Sequence, residues 1–338
     1  MRVYHLTDTT GLDALGIVEL PDPEPGPQDV LVRVGAVSLN FRDFSIARGT
    51  YAFGTISPPI VPCSDAAGTI VAAGSEVTRF KPGDRVAPIF FPKWLAGRVS
   101  RAATATTLGA GGTGTLAELV TLHEDACVAV PDHLSDAEAA CLPCAGVTAW
   151  NAVFEGQPVR PGESVVTLGT GGVSLFALAF AKAAGARVIA TTSSGDKRRR
   201  LEALGADVTI NYVETPEWHE EVRRLTGGAG ADLVIDVAGP TTLPRSLDAV
   251  APGGRVTVIG AMGGPGEINP MPISRDSTTV RGMYVGSRAM FEAMNAAINA
   301  NALRPVVDRV FPFEEAAEAY GHFAGRKHFG KVCIAVGS

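Results

Sequence analysis

Features that would point to a membrane, a nucleic acid or an oxidising compartment are scarce in this sequence of 338 residues. No apolar run approaches the roughly 18 residues that span a bilayer, because Lys182 interrupts the longest one. The start, Met1–Leu6, predicts a strand rather than a signal peptide. The formal net charge is −6 and no basic cluster exceeds Lys197–Arg200, which argues against nucleic-acid and anionic-membrane partners. The few cysteines form an odd, scattered set that suits reduced thiols in a cytosol: Cys63, Cys127, Cys141, Cys144 and Cys333.

The most informative feature present is a β-branched strand that breaks into glycines and then opens a helix. Gly169 permits a tight turn, and Gly171 lets a ligand approach the backbone without an intervening side chain. Backbone N–H groups and the positive end of the helix meet there, where a pyrophosphate can bind. The third position of this G-x-G-x-x-G-like string is Ser174 instead of glycine. The predicted dinucleotide-binding turn is Gly169, Thr170, Gly171, Gly172 and Val173.

The chain divides into a β-rich first part and a later part in which strands alternate with helices. That alternation predicts an α/β fold with a doubly wound parallel sheet. Its predicted strands are Ser164–Leu168, Arg187–Thr191, Ala231–Val237, Arg255–Ile259 and Thr278–Val285, with helices at Asp196–Leu204, Leu243–Val250 and Phe291–Asn301. The early strands are Val30–Val34, Gly68–Ala72 and Asp84–Pro88, and Gly330–Val336 closes the chain. Pro92–Gly114 predicts a long loop, with a mobile functional loop and disorder as open alternatives.

Several strings together resemble the medium-chain dehydrogenase/reductase superfamily. They are Gly74–Val86, Leu142–Trp150, Leu168–Val173 and His328–Lys331, in that order along nearly the whole chain. The greatest resemblance is to the quinone-oxidoreductase and zinc-lacking alcohol-dehydrogenase-like branch. It implies a GroES-like catalytic domain (residues 1–144 and 286–338), a Rossmann cofactor domain (145–285) and an active site where the nicotinamide meets the catalytic domain.

The positions that hold catalytic zinc in related alcohol dehydrogenases are changed. The resemblance places Asn40 and Ser64 at two of the three ligand positions and keeps only Cys144. Catalytic zinc takes three protein ligands of N, S or O type, and one thiolate with an amide and a hydroxyl is a poor set. Cys63 beside Ser64 leaves a rearranged site open, but buried apolar thiols are the simpler interpretation. We therefore expect a protein without zinc.

The dinucleotide is expected to be NADPH, with NAD less favoured. NAD-selective Rossmann domains carry an acid about twenty residues after the first glycine, and here that place holds Thr192. Hydroxyl donors and a cation follow it in Ser193, Ser194 and Lys197. The resemblance adds Tyr212 to the group that binds the 2′-phosphate. Asp196 weakens this inference, since its charge opposes a phosphate.

The resemblance also carries over further cofactor contacts. Thr148 and Val285, with Ser287, are expected near the nicotinamide, and Lys331 at the pyrophosphate. Two strand ends are expected along the adenosine–ribose path, namely Ala238, Gly239, Ile259 and Gly260.

Chemistry without a metal requires other donors for the negative charge that develops on the substrate oxygen. Asn40 offers an amide donor at a former ligand position. Tyr51 matches a tyrosine that serves as proton donor in related enoyl-thioester reductases, although a lid over the site is an equal alternative. Asp43 is expected to be structural, capping a helix or pairing with Arg42, and Ser45 replaces a proton-relay histidine.

The leading hypothesis is an NADPH-dependent reductase of activated C=C bonds or quinones. The alternatives are a metal-free alcohol dehydrogenase or carbonyl reductase and, in another class, a cofactor-binding protein without turnover. A small-molecule substrate is expected, and no nucleic acid or membrane. The resemblance implies a homodimer through the last Rossmann strand, around Arg281–Val285.

Overall fold

The computed structural model describes residues 1–110, 113–260 and 266–337. In chain order its strands are β1 (Arg2–Leu6), β2 (Leu15–Glu19), β3 (Asp29–Ser38), β4 (Asp65–Ala73), β5 (Arg85–Pro88), β6 (Leu119–His123), β7 (Cys127–Ala129), β8 (Ser164–Thr167), β9 (Arg187–Thr192), β10 (Val208–Asn211), β11 (Ala231–Asp236), β12 (Val250–Val258), β13 (Thr279–Gly282), β14 (Val307–Pro312) and β15 (Lys331–Ala335). Its helices are α1 (Phe41–Ala47), α2 (Asp136–Ala139), α3 (Val147–Phe154), α4 (Gly172–Ala183), α5 (Gly195–Ala203), α6 (Trp218–Leu225), α7 (Leu243–Ala249), α8 (Met271–Arg275), α9 (Arg288–Ala300) and α10 (Ala316–Ala324).

The chain forms two compact units. The first contains Met1–Val147 and Gly286–Ser338, and the second contains Thr148–Val285. The division of the sequence at 144/145 lies three residues before the first junction, and the second junction coincides with the predicted 285/286.

The first unit is built on a mostly antiparallel sheet. Its strand order is β14-β15-β3-β4-β5-β7, with β6 also paired to β3 and a separate hairpin of β1 and β2. Strand β3 lies between β15 and β4, and its alternate residues Val30, Val32 and Val34 are buried in the core. The register places Cys333 opposite Ser38. Because these strands are antiparallel, the start of β15 lies beside the end of β3, where α1 begins.

The second unit is a parallel sheet with strand order β10-β9-β8-β11-β12-β13 among the described residues. This confirms the predicted α/β class with its doubly wound sheet. Strand β12 begins earlier than predicted, because Pro252-Gly253-Gly254 resembles a turn in sequence yet lies within the strand. Strand β13 is shorter than the predicted Thr278–Val285, since the backbone leaves the sheet after Gly282. Strand β10 and helix α6 had not been predicted from the sequence.

The segment Pro92–Gly114 forms neither helix nor strand in its described part, and Gly111 and Gly112 fall outside the described residues. Trp94 and Leu108 are buried, at 4% and 5% exposure, so parts of this loop pack into the first unit. In the part of the chain that the structure describes, no helix is long and apolar enough to cross a membrane.

Candidate active site

The predicted glycine turn joins β8 to α4. Gly169 has φ +77°, in the left-handed region that glycine tolerates, and its N–H donates to Thr191 Oγ1 at 3.1 Å. Gly171 precedes the first turn of α4, and Gly172 begins the helix. Ser174 is buried, and its hydroxyl donates to Leu168 O at 2.7 Å. The serine at the third position therefore ties the helix to the strand with a hydrogen bond that glycine could not make.

This turn fits a pyrophosphate. Gly171 has an ordinary φ of −79°, yet a Cβ added there would meet no heavy atom within 4 Å. The fold itself does not require glycine at this position, so the open space suits a ligand. Among the described residues, no side chain caps the start of α4 and no acid lies in its first turn. The first N–H groups and the positive helix end are thus available to an anion. Thr170 is buried and Val173 half-buried in the same turn.

The residues predicted to select NADPH meet at the end of β9. Thr192 is buried, its Oγ1 accepts the Ser194 N–H at 3.3 Å, and its carbonyl accepts the Tyr212 N–H at 2.9 Å. Ser193 is exposed at the same strand end, and Lys197 lies half-buried in the first turn of α5. The position that holds an acid in NAD-selective domains is therefore occupied by the Thr192 hydroxyl.

The acids of α5 have partners of their own on that helix. Asp196, which weakened the inference from sequence, forms an ion pair with Arg199, and Glu202 pairs with Arg198 at 3.1 Å. Arginine side chains therefore offset both carboxylates.

The ends of β11 and β12, which were predicted to line the adenosine–ribose path, are held by contacts within the protein. Asp236 is fully buried and accepts the N–H groups of Ala238 at 3.0 Å and Gly239 at 2.8 Å. These two N–H groups are consequently not available to a cofactor. Ile259 donates its N–H to Asp236 O at 2.9 Å, and a Cβ on Gly260 would lie 1.7 Å from Val237 O. Glycine at 260 is thus explained by the close approach of the neighbouring backbone.

The remaining predicted contacts of the second unit lie at its termini. Thr148, in the first turn of α3, is 3% exposed. Val285 has φ +58°, which is unusual for a β-branched residue and costs roughly 1–2 kcal/mol. Its carbonyl accepts the Asn151 amide at 2.7 Å, and Asn151 Oδ1 accepts Arg281 at 2.8 Å. Backbone strain of this kind concentrates at functional sites, and the position of Val285 near the nicotinamide stays a prediction.

The first unit contains a buried polar cluster at the predicted catalytic position, which we call the Asn40 cluster (Asn40, Ser64, Asp65, Cys144 and Lys331). Lys331 Nζ donates to Asn40 Oδ1 and to Leu39 O, both at 2.6 Å. Asp65, at the start of β4, accepts the Ser64 hydroxyl at 2.7 Å and the Cys144 N–H at 3.0 Å. Register explains the assembly, since Asp65 is opposite Ser38 on β3 and Lys331 begins β15 on the other side.

Burial dominates the electrostatics of the cluster. It raises the pKa of Asp65, which the Lys331 ammonium opposes. It also raises the pKa of the Cys144 thiol, so this sulfur stays protonated. The pKa of Asp43 is raised by burial to about 6, although the Arg42 guanidinium opposes that rise. Asp43 Oδ2 accepts the Asn40 N–H at 2.8 Å, which confirms the expected capping role at α1.

Tyr51 lies beside Arg42 in the same unit. The Arg42 guanidinium is 5.5 Å from the Tyr51 ring centroid and 4.6 Å from that of Phe90. Arg42 also donates to Leu108 O at 2.7 Å and Thr107 Oγ1 at 3.0 Å, which attaches the 92–114 loop to α1. The ring of Tyr51 is half-buried. Asn40 and Tyr51 thus flank a short helix, one buried and one partly accessible.

The Asn40 cluster does not fit a catalytic zinc ion. Asn40 Oδ1, the oxygen that would face a metal, already accepts an ammonium at 2.6 Å. The Ser64 hydroxyl is donated to Asp65, and an amide, a hydroxyl and one thiol are a poor ligand set for zinc. The cation of this site is Lys331.

Two predicted cofactor residues have other roles in the structure. Lys331 is 4% exposed and directs its ammonium to Leu39 and Asn40, and the expected pyrophosphate contact stays a prediction. Ser287 is buried and caps α9, where its Oγ accepts the Met290 N–H at 3.3 Å. That hydrogen bond also explains why α9 begins before the predicted Phe291.

Sequence reasoning did not find the contacts of Asp65 within the Asn40 cluster or those of Arg42 beside Tyr51. The sequence did carry one signal for Asp65, because it is a charged residue at the start of an otherwise apolar strand. A charged residue in such a strand is buried only when other groups hydrogen-bond or pair with it. For Arg42 no comparable signal existed, because its partners lie on a distant loop.

Comparison with known proteins identifies the relationship. The zinc-binding dehydrogenase family matches residues 172–300, and the alcohol dehydrogenase GroES-like domain matches residues 26–132. The zinc-type alcohol dehydrogenase-like protein C1773.06c of Schizosaccharomyces pombe is 41% identical over 99% of both chains. A quinone oxidoreductase of Pseudomonas aeruginosa is 32% identical over 96% of both chains.

Solved structures of dehydrogenases and related proteins have the same fold as this chain. A putative alcohol dehydrogenase from Sinorhizobium meliloti 1021 has a TM-score of 0.91 at 43% identity and 99% coverage of both chains. An NAD-dependent alcohol dehydrogenase has a TM-score of 0.90 at 37% identity, with full coverage of both chains. The mycobacterial protein Rv1454c, complexed with NADPH, has a TM-score of 0.84 at 29% identity, covering 99% of this chain and 100% of its own.

The chain therefore belongs to the medium-chain dehydrogenase/reductase superfamily, with a GroES-like unit and a Rossmann-like parallel sheet. Its relatives are oxidoreductases, and the protein is an NAD(P)H-dependent oxidoreductase.

Proposed function

We propose that this protein is an NADPH-dependent reductase of activated C=C bonds, such as those of enones and enals, or of quinones, and that it works without zinc. The observation that carries the proposal is the Asn40 cluster. A buried lysine bonds the amide oxygen of Asn40 where related enzymes have a metal ligand. The site offers a neutral hydrogen-bond donor to an oxygen that gains charge.

When bound, the nicotinamide supplies the hydride. The residues of the first unit then have two tasks. The Asn40 amide binds the carbonyl oxygen and stabilises the negative charge that appears on it as the β-carbon is reduced. Tyr51, whose phenol keeps its proton at neutral pH, donates a proton to the enolate. Arg42 contacts the Tyr51 ring and donates to Leu108 O, which links Tyr51 to the described part of the 92–114 loop.

Preference for NADPH is supported by the end of β9, where hydroxyls, an amine and a phenol replace the acid that NAD-selective domains carry. The NADPH complex of the mycobacterial relative points the same way, whereas the similar NAD-dependent alcohol dehydrogenase points to the other cofactor. The local residues decide the proposal, since cofactor choice depends on a few contacts at this strand end.

A second candidate is a metal-free alcohol dehydrogenase or carbonyl reductase. The names of the Schizosaccharomyces and Sinorhizobium relatives favour it. Asn40 would act in the same way on a ketone oxygen, so the two candidates differ in which carbon receives the hydride.

Product analysis with NADPH deuterated at the transferring position separates them. We expect deuterium at the β-carbon of a saturated ketone when 2-cyclohexenone is the acceptor. Deuterium at a carbinol carbon would reject C=C reduction and favour the second candidate. Tyr51→Phe should lower turnover by about 10²–10⁴ if the phenol is the acid. The matched control is Tyr4→Phe, whose hydroxyl donates to Glu314 O and should not affect turnover.

We also propose a homodimer that forms through β13, and a cytosolic location. Within the described residues β13 is the last strand of its sheet, and most of its residues are exposed. Light scattering should give twice the chain mass, and Val280→Pro should give monomers. A wild-type monomer at micromolar concentration would reject the dimer.

The proposed cytosolic location is supported by five free cysteines.

A further inference from the structure

Two free cysteines of the first unit lie side by side in its core. Cys141 follows α2, and Cys333 is the central residue of β15. Their Sγ atoms are 3.6 Å apart, and both side chains are fully buried. Because the two residues are 192 positions apart in the sequence, the packing of α2 against the sheet brings the sulfurs together.

The hydrogen bonds of the two thiols keep the sulfurs in contact. Ala137 O accepts from Cys141 Sγ at 3.2 Å and from Cys333 Sγ at 3.4 Å. Ser38 Oγ donates to Cys141 Sγ at 3.6 Å, and Ser38 is the residue opposite Cys333 in the pairing of β3 with β15. Since one carbonyl and one hydroxyl serve the pair, both side chains are directed to the same place.

Cys333 is the better nucleophile of the two. The Cys141 thiol contributes most to lowering the pKa of Cys333, and the Ser38 hydroxyl adds to it, although burial opposes both. The Lys331 ammonium, two residues earlier on the same face of β15, lowers this pKa further. Burial raises the pKa of the Cys141 thiol. The reactive thiolate form is therefore favoured at Cys333.

We propose that Cys141 and Cys333 are a redox-sensitive pair that hydrogen peroxide converts into a disulfide, and that this disulfide lowers the activity of the protein. The Cys333 thiolate attacks one peroxide oxygen, the O–O bond breaks, and the departing hydroxide takes up a proton to form water. The Cys333 sulfur is thereby oxidised to a sulfenic acid. The Cys141 sulfur then attacks the sulfenic sulfur, the S–O bond breaks, and a second water leaves with the Cys141 proton.

The disulfide would displace two segments that carry the Asn40 cluster. A disulfide bond is about 2.05 Å long, so sulfurs that are 3.6 Å apart must approach by about 1.5 Å. Cys333 shares β15 with Lys331, and Cys141 directly precedes the segment Leu142–Gly146, which contains Cys144. A displacement of about 1 Å can lower turnover about a hundredfold, and we expect kcat to fall about tenfold to a hundredfold. This effect on activity rests on the proposed function.

Thiol counting and peptide mapping after peroxide treatment test the disulfide without an activity assay. Free thiols of the denatured protein should fall from five to three. The peptides that contain Cys141 and Cys333 should be cross-linked, with the loss of two hydrogen atoms, and dithiothreitol should reverse this. Met271, which is 66% exposed, gauges the treatment through its conversion to the sulfoxide. Five free thiols after complete oxidation of Met271, or a disulfide between other cysteines, would overturn the proposal.

The effect on activity is measured with 2-cyclohexenone and NADPH after peroxide has been removed by desalting. Cys141→Ala and Cys333→Ala should each keep their activity, whereas the wild type should be inactivated and should recover in dithiothreitol. Cys127→Ala is the matched control and should be inactivated like the wild type, because Cys127 is buried in the same unit and burial raises its pKa to about 12. A cross-linked wild type with full turnover would overturn the effect on activity.

Failure of the proposed function is visible separately. A protein that reduces no acceptor before peroxide treatment would reject the proposed function, and the thiol count would still decide whether the disulfide forms. Peptide mapping of the wild type keeps that decision open to test if a cysteine variant does not fold.

Discussion

Removal of the Lys197 ammonium should weaken NADPH binding and leave NADH binding nearly unchanged. Lys197 lies in the first turn of α5, close in sequence to Ser193 and Ser194 at the end of β9. The acids of α5 pair with Arg198 and Arg199, which partly offsets their repulsion of an incoming phosphate. A hydrogen bond to a charged group contributes about 1.5–3 kcal/mol, and each 1.4 kcal/mol is a factor of ten.

The dissociation constant of NADPH should therefore rise roughly ten- to a hundredfold in Lys197→Ala. Because the side chain is only half-buried, the lower part of that range is expected at physiological salt. Fluorescence titration with both cofactors measures the effect. Arg200→Ala is the matched control, since it removes the same charge from the last turn of the same helix. Equal losses for NADPH and NADH, or an equal loss in Arg200→Ala, would refute a 2′-phosphate contact.

Three further predictions concern the glycine turn, the buried acid and the metal. Gly169→Ala should destabilise the protein by about 1–2 kcal/mol because of its φ of +77°. Gly171→Ala should change the free energy of unfolding by less than about 0.5 kcal/mol and still weaken NADPH binding about tenfold or more. A variant at 171 with wild-type affinity for NADPH would contradict the pyrophosphate site. The pKa of Asp43 is raised from 3.8 to about 6. Protonation of Asp43 therefore stabilises the folded state by roughly 3 kcal/mol, and this stabilisation is complete below pH 3.8. It is lost as the pH rises through about 6. Urea unfolding from pH 4 to pH 8 should show this loss in the wild type and not in Asp43→Asn, and parallel curves would exclude it. Elemental analysis of the purified protein should find no stoichiometric zinc, and about one zinc per chain together with activity lost to chelators would contradict the assignment of Lys331 as the cation.

The sequence alone determined the features that depend on residues close together in the chain. The turn at Gly169–Val173 and the strand end at Thr192–Lys197 were found because strand, turn and helix signals lie within about ten residues of one another. The alternation of these units was enough to predict the parallel sheet. The family resemblance then supplied Asn40, Ser64 and Cys144 as changed metal positions.

Tertiary structure decided what the distant residues do. Lys331 and Asn40 are 291 positions apart, and only the register of β15 on β3 brings them together. Burial then gives the lysine two bonded acceptors, because an ammonium excluded from water must bond the nearest acceptors. Ser287 and the N–H groups of Ala238 and Gly239 are likewise taken by partners that the sequence does not reveal. Local patterns record backbone conformation, whereas the partner of a buried polar group is set by which strands pair, and that is a property of the whole fold.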